Sequence, residues 1–146
     1  MEKPTRYFEI QLPSRLGSEK IAMSTAADLA RSIGFEEDRI EDLKTAVAEA
    51  CINAIEHGNK LDETLPVGVI LSISPNSLEV RVVDTGQGPQ GRSTNPDIDR
   101  KMNEEEQARG MGMFLIESLV DEVEWGKTPC DGSFARMVIR LKPAEE

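Results

Sequence analysis

Two runs of alternating apolar residues, Val67 to Ser74 and Leu78 to Asp84, are separated only by Pro75-Asn76-Ser77. A connection that short reads as an antiparallel hairpin, because parallel neighbours need a crossover of about a dozen residues or more. A third run, Ala135 to Leu141, lies near the C-terminus, with a shorter one around Val123 to Trp125 ahead of it. Tyr7 to Leu12 alternates moderately and reads as a first strand, followed by a turn over Pro13 to Gly17. The strands therefore come in runs and do not alternate strictly with helices.

Helical patterns fill the gaps. Ser18 is placed to cap a helix that runs to about Ile33, and Gly34 supplies its stop. A second helix begins near Glu36 to Asp38, where carboxylates suit the positive end of the helix dipole. It is expected to run to His57 and to end at Gly58. After the hairpin comes a polar segment, Gly86 to Ala108, and then a helix over about Met111 to Val120. This order predicts an α+β two-layer sandwich: a mixed, mostly antiparallel sheet with helices on one face. The 146 residues suit one domain, spanning positions 1–146, with a core that needs no staples.

Charge narrows the function classes. Asp and Glu outnumber Lys and Arg 27 to 17, for a formal charge of −10. A nucleic-acid binder shows a basic face, so direct binding of DNA or RNA is not expected. Cys51 sits in a helical pattern and Cys130 in a turn, with no Cys-x-x-Cys pair to suggest zinc. They read as free thiols in a reducing compartment. No apolar run approaches the roughly 20 residues of a membrane span, and the first residues lack the apolar stretch of a signal peptide. The chain is expected to be cytoplasmic.

The second helix carries the polar chemistry. Ile40, Leu43, Val47, Ala50 and Ala54 recur at helical spacing and define an apolar face. Glu49, Asn53 and His57 follow one another at four-residue intervals on another face, with Glu56 near them. Such a ladder is either a solvated face or a site. Asn is a poor mid-helix residue, because its amide competes for backbone hydrogen bonds. Its oxygen is also a fit ligand for Mg²⁺.

Two glycine-bearing segments add to this. The strand ending at Val83 runs straight into Asp84-Thr85-Gly86-Gln87-Gly88. The carboxylate of Asp84 can accept a hydrogen bond from an exocyclic amino group such as adenine N6, and the glycines permit close approach of a ligand. A plain surface turn would read the same way. Arg109-Gly110-Met111-Gly112-Met113 opens the third helix. Open N–H groups at a helix start bind anions, and the Arg109 guanidinium matches phosphate oxygens. An ordinary loop before a helix is the competing reading. There is no P-loop motif, no dinucleotide-binding fingerprint, and no Gly-x-Ser-x-Gly to accompany the single histidine, His57.

Taken in order, the three segments are more specific than any one of them. Glu49-Ala-Cys-Ile-Asn53-Ala-Ile-Glu-His57-Gly58 resembles the N box of the ATPase superfamily that unites gyrase, histidine kinases and MutL. Asp84-Thr-Gly86-Gln-Gly88 resembles its G1 box, and Gly110-Met-Gly112 its G2 box. The wording from Ile40 to Ala54, and from Arg109 to Glu117 followed by Asp121-Glu122-Val123, resembles the anti-sigma factor serine/threonine kinases of bacteria.

The resemblance implies the Bergerat ATPase fold with ATP and Mg²⁺ as cofactors. It implies Asn53 as the Mg²⁺ ligand and Glu49 as the general base toward a Ser or Thr hydroxyl. Asp84 would take the adenine amino group, with Gly86 and Gly88 shaping the pocket and Ser133 nearby. Gly110, Met111 and Gly112 would offer backbone to the phosphates, with Arg109 near the γ-phosphate. Pro89 to Ala108 would form the lid. It further implies a sigma factor and a STAS-type antagonist protein as partners, and a homodimer. A non-catalytic, ATP-gated binding switch of the same fold is the alternative. The accessory dimerisation helices of histidine kinases and the transducer domains of gyrase and MutL are not expected in a chain of this length.

Overall fold

The structure, a computed structural model, describes residues 6–86, 112–130 and 132–141. Five strands form one sheet: β1 (Arg6–Leu12), β2 (Val67–Ser74), β3 (Ser77–Asp84), β4 (Glu122–Lys127) and β5 (Ser133–Arg140). Their order across the sheet is β1-β2-β3-β5-β4, and each neighbouring pair is antiparallel. The expected mixed sheet is thus wholly antiparallel among the described residues. The hairpin turns at Pro75-Asn76, with Ser74 opposite Ser77.

The helices are α1 (Glu19–Ile33), α2 (Glu37–Asn53) and α3 (residues 112–119). Period-two alternation gives the sheet one apolar face. Val67, Val69, Leu71, Leu78, Val80, Val82, Met137 and Ile139 are all buried on it. They share one core with Ile40, Leu43, Val47 and Ala50 of α2 and with Ala22, Ala26 and Ala30 of α1. Each such Val, Leu or Ile contributes about 1.5–3 kcal/mol by leaving water. The small residues of α1 let α2 lie close beside it.

The other sheet face is polar. Arg136 lies between Glu79 and Glu122, with its Nη1 donating to Glu122 Oε1 at 2.9 Å. Hydrogen bonds from Arg136 and then Arg140 hold the Glu122 carboxyl below the usual carboxylate range. Arg81 stacks over the Phe134 ring at 5.1 Å.

The helix ends differ in part from expectation. Ser18 makes no side-chain cap bond. Glu19 reaches back instead, and its Oε1 accepts from the Gly17 N–H at 2.7 Å. Gly34 does stop α1: its φ is 110°, and its N–H donates to the carbonyls of Ala30 and Arg31. The larger departure is in α2. Its α-helical part ends at Asn53, and Ala54–Gly58 forms a π-turn in which the Asn59 N–H donates to the Ala54 carbonyl at 2.8 Å. Gly58 is not the left-handed stop; that conformation falls to Lys60 (φ 53°) and Leu61 (φ 61°). Among the described residues no helix is long and apolar enough to cross a membrane.

Candidate functional site

α2 reaches the sheet with its polar ladder partly covered. Glu49, Asn53 and His57 are half-buried, so they are not a solvated face. The start of α3 covers the first two. A methyl group on Gly112 would stand 3.2 Å from Glu49 Oε2 and 3.4 Å from Asn53 Nδ2. Glycine at this point lets the helix start approach the carboxylate and the amide closely. The extra residue of the π-turn takes His57 off the line that joins Glu49 to Asn53.

Asn53 Nδ2 is buried and has no hydrogen-bond partner among the described residues. An unmet buried donor costs about 1–3 kcal/mol. A ligand oxygen beside it would remove that cost.

Adjoining Asn53 is a cavity of about 310 Å³ including its open mouth. Ala50, Asn53 and Ala54 of α2 form one wall. Val82 and Asp84 of β3, Trp125 of β4 and Ser133 to Ala135 of β5 form the other. The two alanines leave the room, and Trp125 supplies an aromatic surface.

Asp84 stands at the end of β3 opposite Ser133 and is buried. The Ser133 N–H donates to its Oδ1 at 3.2 Å. Two glycines close on it. A methyl group on Gly58 would lie 2.3 Å from both Cγ and Oδ2 of Asp84, and one on Gly132 would lie 2.2 Å from its carbonyl oxygen. The next residue, Thr85, donates its N–H and its hydroxyl to Asn59 Oδ1 at 2.9 and 2.8 Å. Gly86 follows with φ 65°, in the left-handed region that favours glycine.

Glu49, Asn53, Gly112, Asp84 and Ser133 therefore gather around one cleft, with Gly86 two residues past Asp84. Gly88, Arg109, Gly110, Met111 and the segment Pro89 to Ala108 lie outside the described residues. Sequence reasoning missed Trp125, Gly132, Thr85 and Asn59, and it read Gly58 only as the end of the helix, where it does fall, without its approach to Asp84. Only Gly58 and Gly132 carried any signal, as glycines flanking strongly patterned elements.

The cleft offers a carboxylate acceptor at one end and an unmet amide, a second carboxylate and a helix start at the other. Asn53 and Glu49 are oxygen donors of the type Mg²⁺ accepts. Among the described residues no group of three or more His, Cys, Asp or Glu forms a metal cluster.

Residues 12–139 match the Histidine kinase-like ATPase domain family. The chain belongs to that family. The histidine kinase-like ATPase domain is an ATP-binding domain, and in this chain a cleft lies between α2 and the sheet beside Asn53 and Asp84. Among curated relatives, serine-protein kinase RsbW of Bacillus licheniformis is 32% identical over 127 residues, covering 84% of this chain and 79% of the relative. RsbW of Bacillus subtilis (strain 168) matches with the same identity and coverage. RsbW of Oceanobacillus iheyensis is 30% identical over 122 residues, covering 81% and 77%. These relatives put the chain with the RsbW-type anti-sigma kinases. A solved structure of the RsbU and RsbW domains of a Mycobacterium tuberculosis protein superposes with a TM-score of 0.67 at 22% identity. It covers 97% of this chain and 34% of the other, so the chain spans about a third of that protein. This likeness speaks for the fold.

Proposed function

We propose that this chain is an ATP-dependent serine/threonine protein kinase that acts as an anti-sigma regulatory factor. Its substrate would be a STAS-type antagonist protein, and it would hold a sigma factor in the cytoplasm as a homodimer. The supporting observation is the contact of Glu49 and Asn53, one helical turn apart, with Gly112 at the start of α3, beside the Asp84 cavity.

Each residue then has a task. Asp84 accepts from the adenine amino group, since an ionised carboxylate is a pure acceptor. Trp125, Ala50 and Ala54 enclose the base. Gly86 and Gly88 let backbone approach the ligand. From the motif, Gly110, Met111 and Gly112 would offer backbone N–H groups to the phosphates, and Arg109 a cation to the γ-phosphate. Asn53 would hold Mg²⁺ through its amide oxygen, and that ion, when bound, neutralises phosphate charge. Glu49 orients the attacking hydroxyl and takes its proton as the new oxygen–phosphorus bond forms and the bond to the departing ADP oxygen breaks. The transfer needs positioning and charge stabilisation more than covalent chemistry from the protein.

The test is incubation with γ-labelled ATP, Mg²⁺ and candidate STAS-type proteins. Label transfer to a Ser or Thr, lost by about 10²-fold or more in Glu49→Ala while ATP still binds, is the expected result. ATP binding with no transfer in the wild type would leave the chain as an ATP-gated binding switch.

A further inference from the structure

We propose that Asn59 is a positioning residue that sets the base selectivity of the cleft by fixing the backbone that carries Asp84; this rests on the reading of Asp84 as the adenine contact. Asn59 is 1% exposed, and its side chain uses both ends. Nδ2 donates to Ser14 Oγ at 2.9 Å and to the carbonyls of Leu65 and Pro66, each at 3.2 Å. Oδ1 accepts from the Thr85 N–H and the Thr85 hydroxyl. One neutral amide thus joins the turn after β1, the loop before β2 and the end of β3.

The chemistry demands an amide. A carboxylate would bring an oxygen against two carbonyl oxygens, and a hydroxyl could not span both sides. The backbone around Asn59 is also held under strain. Its N–H closes the π-turn, and the next two residues, Lys60 and Leu61, are both in the left-handed region. Non-glycine residues persist there only where their surroundings enforce it, and such strain clusters at ligand sites. Thr85 is peptide-bonded to Asp84 and precedes Gly86, so pinning its N–H fixes the peptide plane that leaves Asp84. The Ser133 N–H and the close approach of Gly58 fix the carboxylate itself. Asn59 supplies a further constraint and ties it to the π-turn of α2, which shares the cleft.

The experiment compares Kd for ATP with Kd for purine riboside triphosphate, which lacks the 6-amino group, each with Mg²⁺, in folded protein well below its Tm. Wild type should prefer ATP by roughly 10-fold or more, the scale of a hydrogen bond to a charged group. Asn59→Ala and Asn59→Asp should cut this ratio at least fivefold, chiefly by weakening ATP. A merely structural residue would weaken both nucleotides in parallel, and an unchanged ratio overturns the proposal. Thr85→Val keeps the Asn59 amide and removes only the hydroxyl bond. It should lower the ratio by a smaller factor, and an unchanged ratio in it decides against the proposal even if the Asn59 variants do not fold. A wild type without preference would overturn the Asp84 reading itself and the proposal with it; a selective wild type with equally selective variants overturns only the role of Asn59.

Discussion

Replacing Gly58 by alanine sets helix propensity against site geometry. The new methyl would stand 2.3 Å from Cγ and Oδ2 of Asp84. Carbon atoms rest at about 3.5–4.0 Å, so the carboxylate must retreat by more than about 1 Å. Asp84 is short and buried, and it would have to swing away from the Ser133 N–H. Gly→Ala in a helical turn gains roughly 0.5–1 kcal/mol, while overpacking costs roughly 1–3 kcal/mol. The net loss of stability should therefore be about 0–2.5 kcal/mol. ATP affinity should suffer more, because a misplaced acceptor forfeits a charged hydrogen bond of about 1.5–3 kcal/mol, or tenfold and upward in Kd. Trp125 is the only tryptophan and lines the same cleft, so its fluorescence can follow the titration. Gly34→Ala is the control. It places a side chain at φ 110° with nothing within 4 Å, so it should cost about 1–2 kcal/mol of stability and leave ATP affinity unchanged. Wild-type affinity in Gly58→Ala would refute the claim that Gly58 is present to admit Asp84.

Thiol accessibility should split two ways. Cys51 is buried, and burial, with a contribution from Glu19, pushes its thiol up to about 12. At pH 8 a maleimide should label the exposed Cys130 quickly and Cys51 only after denaturation, as a mass count of adducts will show. Acid should loosen the outer sheet face. Because the Glu122 carboxyl is held low in the folded state, its stabilising share is present above the ordinary carboxylate range and is lost as pH falls through the lowered value. Thermal melts of Glu122→Gln against wild type should differ near neutral pH, begin to draw together as pH enters the ordinary carboxylate range, and converge only below the lowered value of the folded state.

Much of this architecture was legible because the relevant signals are local. The Pro75-Asn76 turn between alternating runs specified the hairpin, and Gly34 stopped α1 as its type suggests. The apolar stripe of α2 fell on the core at Ile40, Leu43, Val47 and Ala50 as periodicity required. The N-box residues could be named, and the structure adds what lies across from them. Other features depend on contacts far apart in sequence, which no window can carry. Gly58 looks like a helix terminator until Asp84 is placed beside it. Asn59 looks like an ordinary loop residue, yet its partners are 45 and 26 positions away. Trp125 gave no hint, because β4 reaches the cleft only by crossing beyond β5. The π-turn was invisible for a different reason: it is one inserted residue that periodicity averages away.

That inserted residue makes α2 a gauge. On the proposed roles, Glu49 and Asn53 stand at the chemical end, Ala50 and Ala54 along the wall, and Gly58 at the base-reading end, all on one continuous helical rod. Nine residues of helix rise about 13 Å, so the distance between reading a base and acting on a phosphate is written into a single piece of backbone. Adding or removing one residue between Glu49 and Gly58 would turn the two ends by about 100° relative to each other. Drift in this stretch would then separate recognition from reaction in one step, while the same drift in the loops around it would leave both in tune.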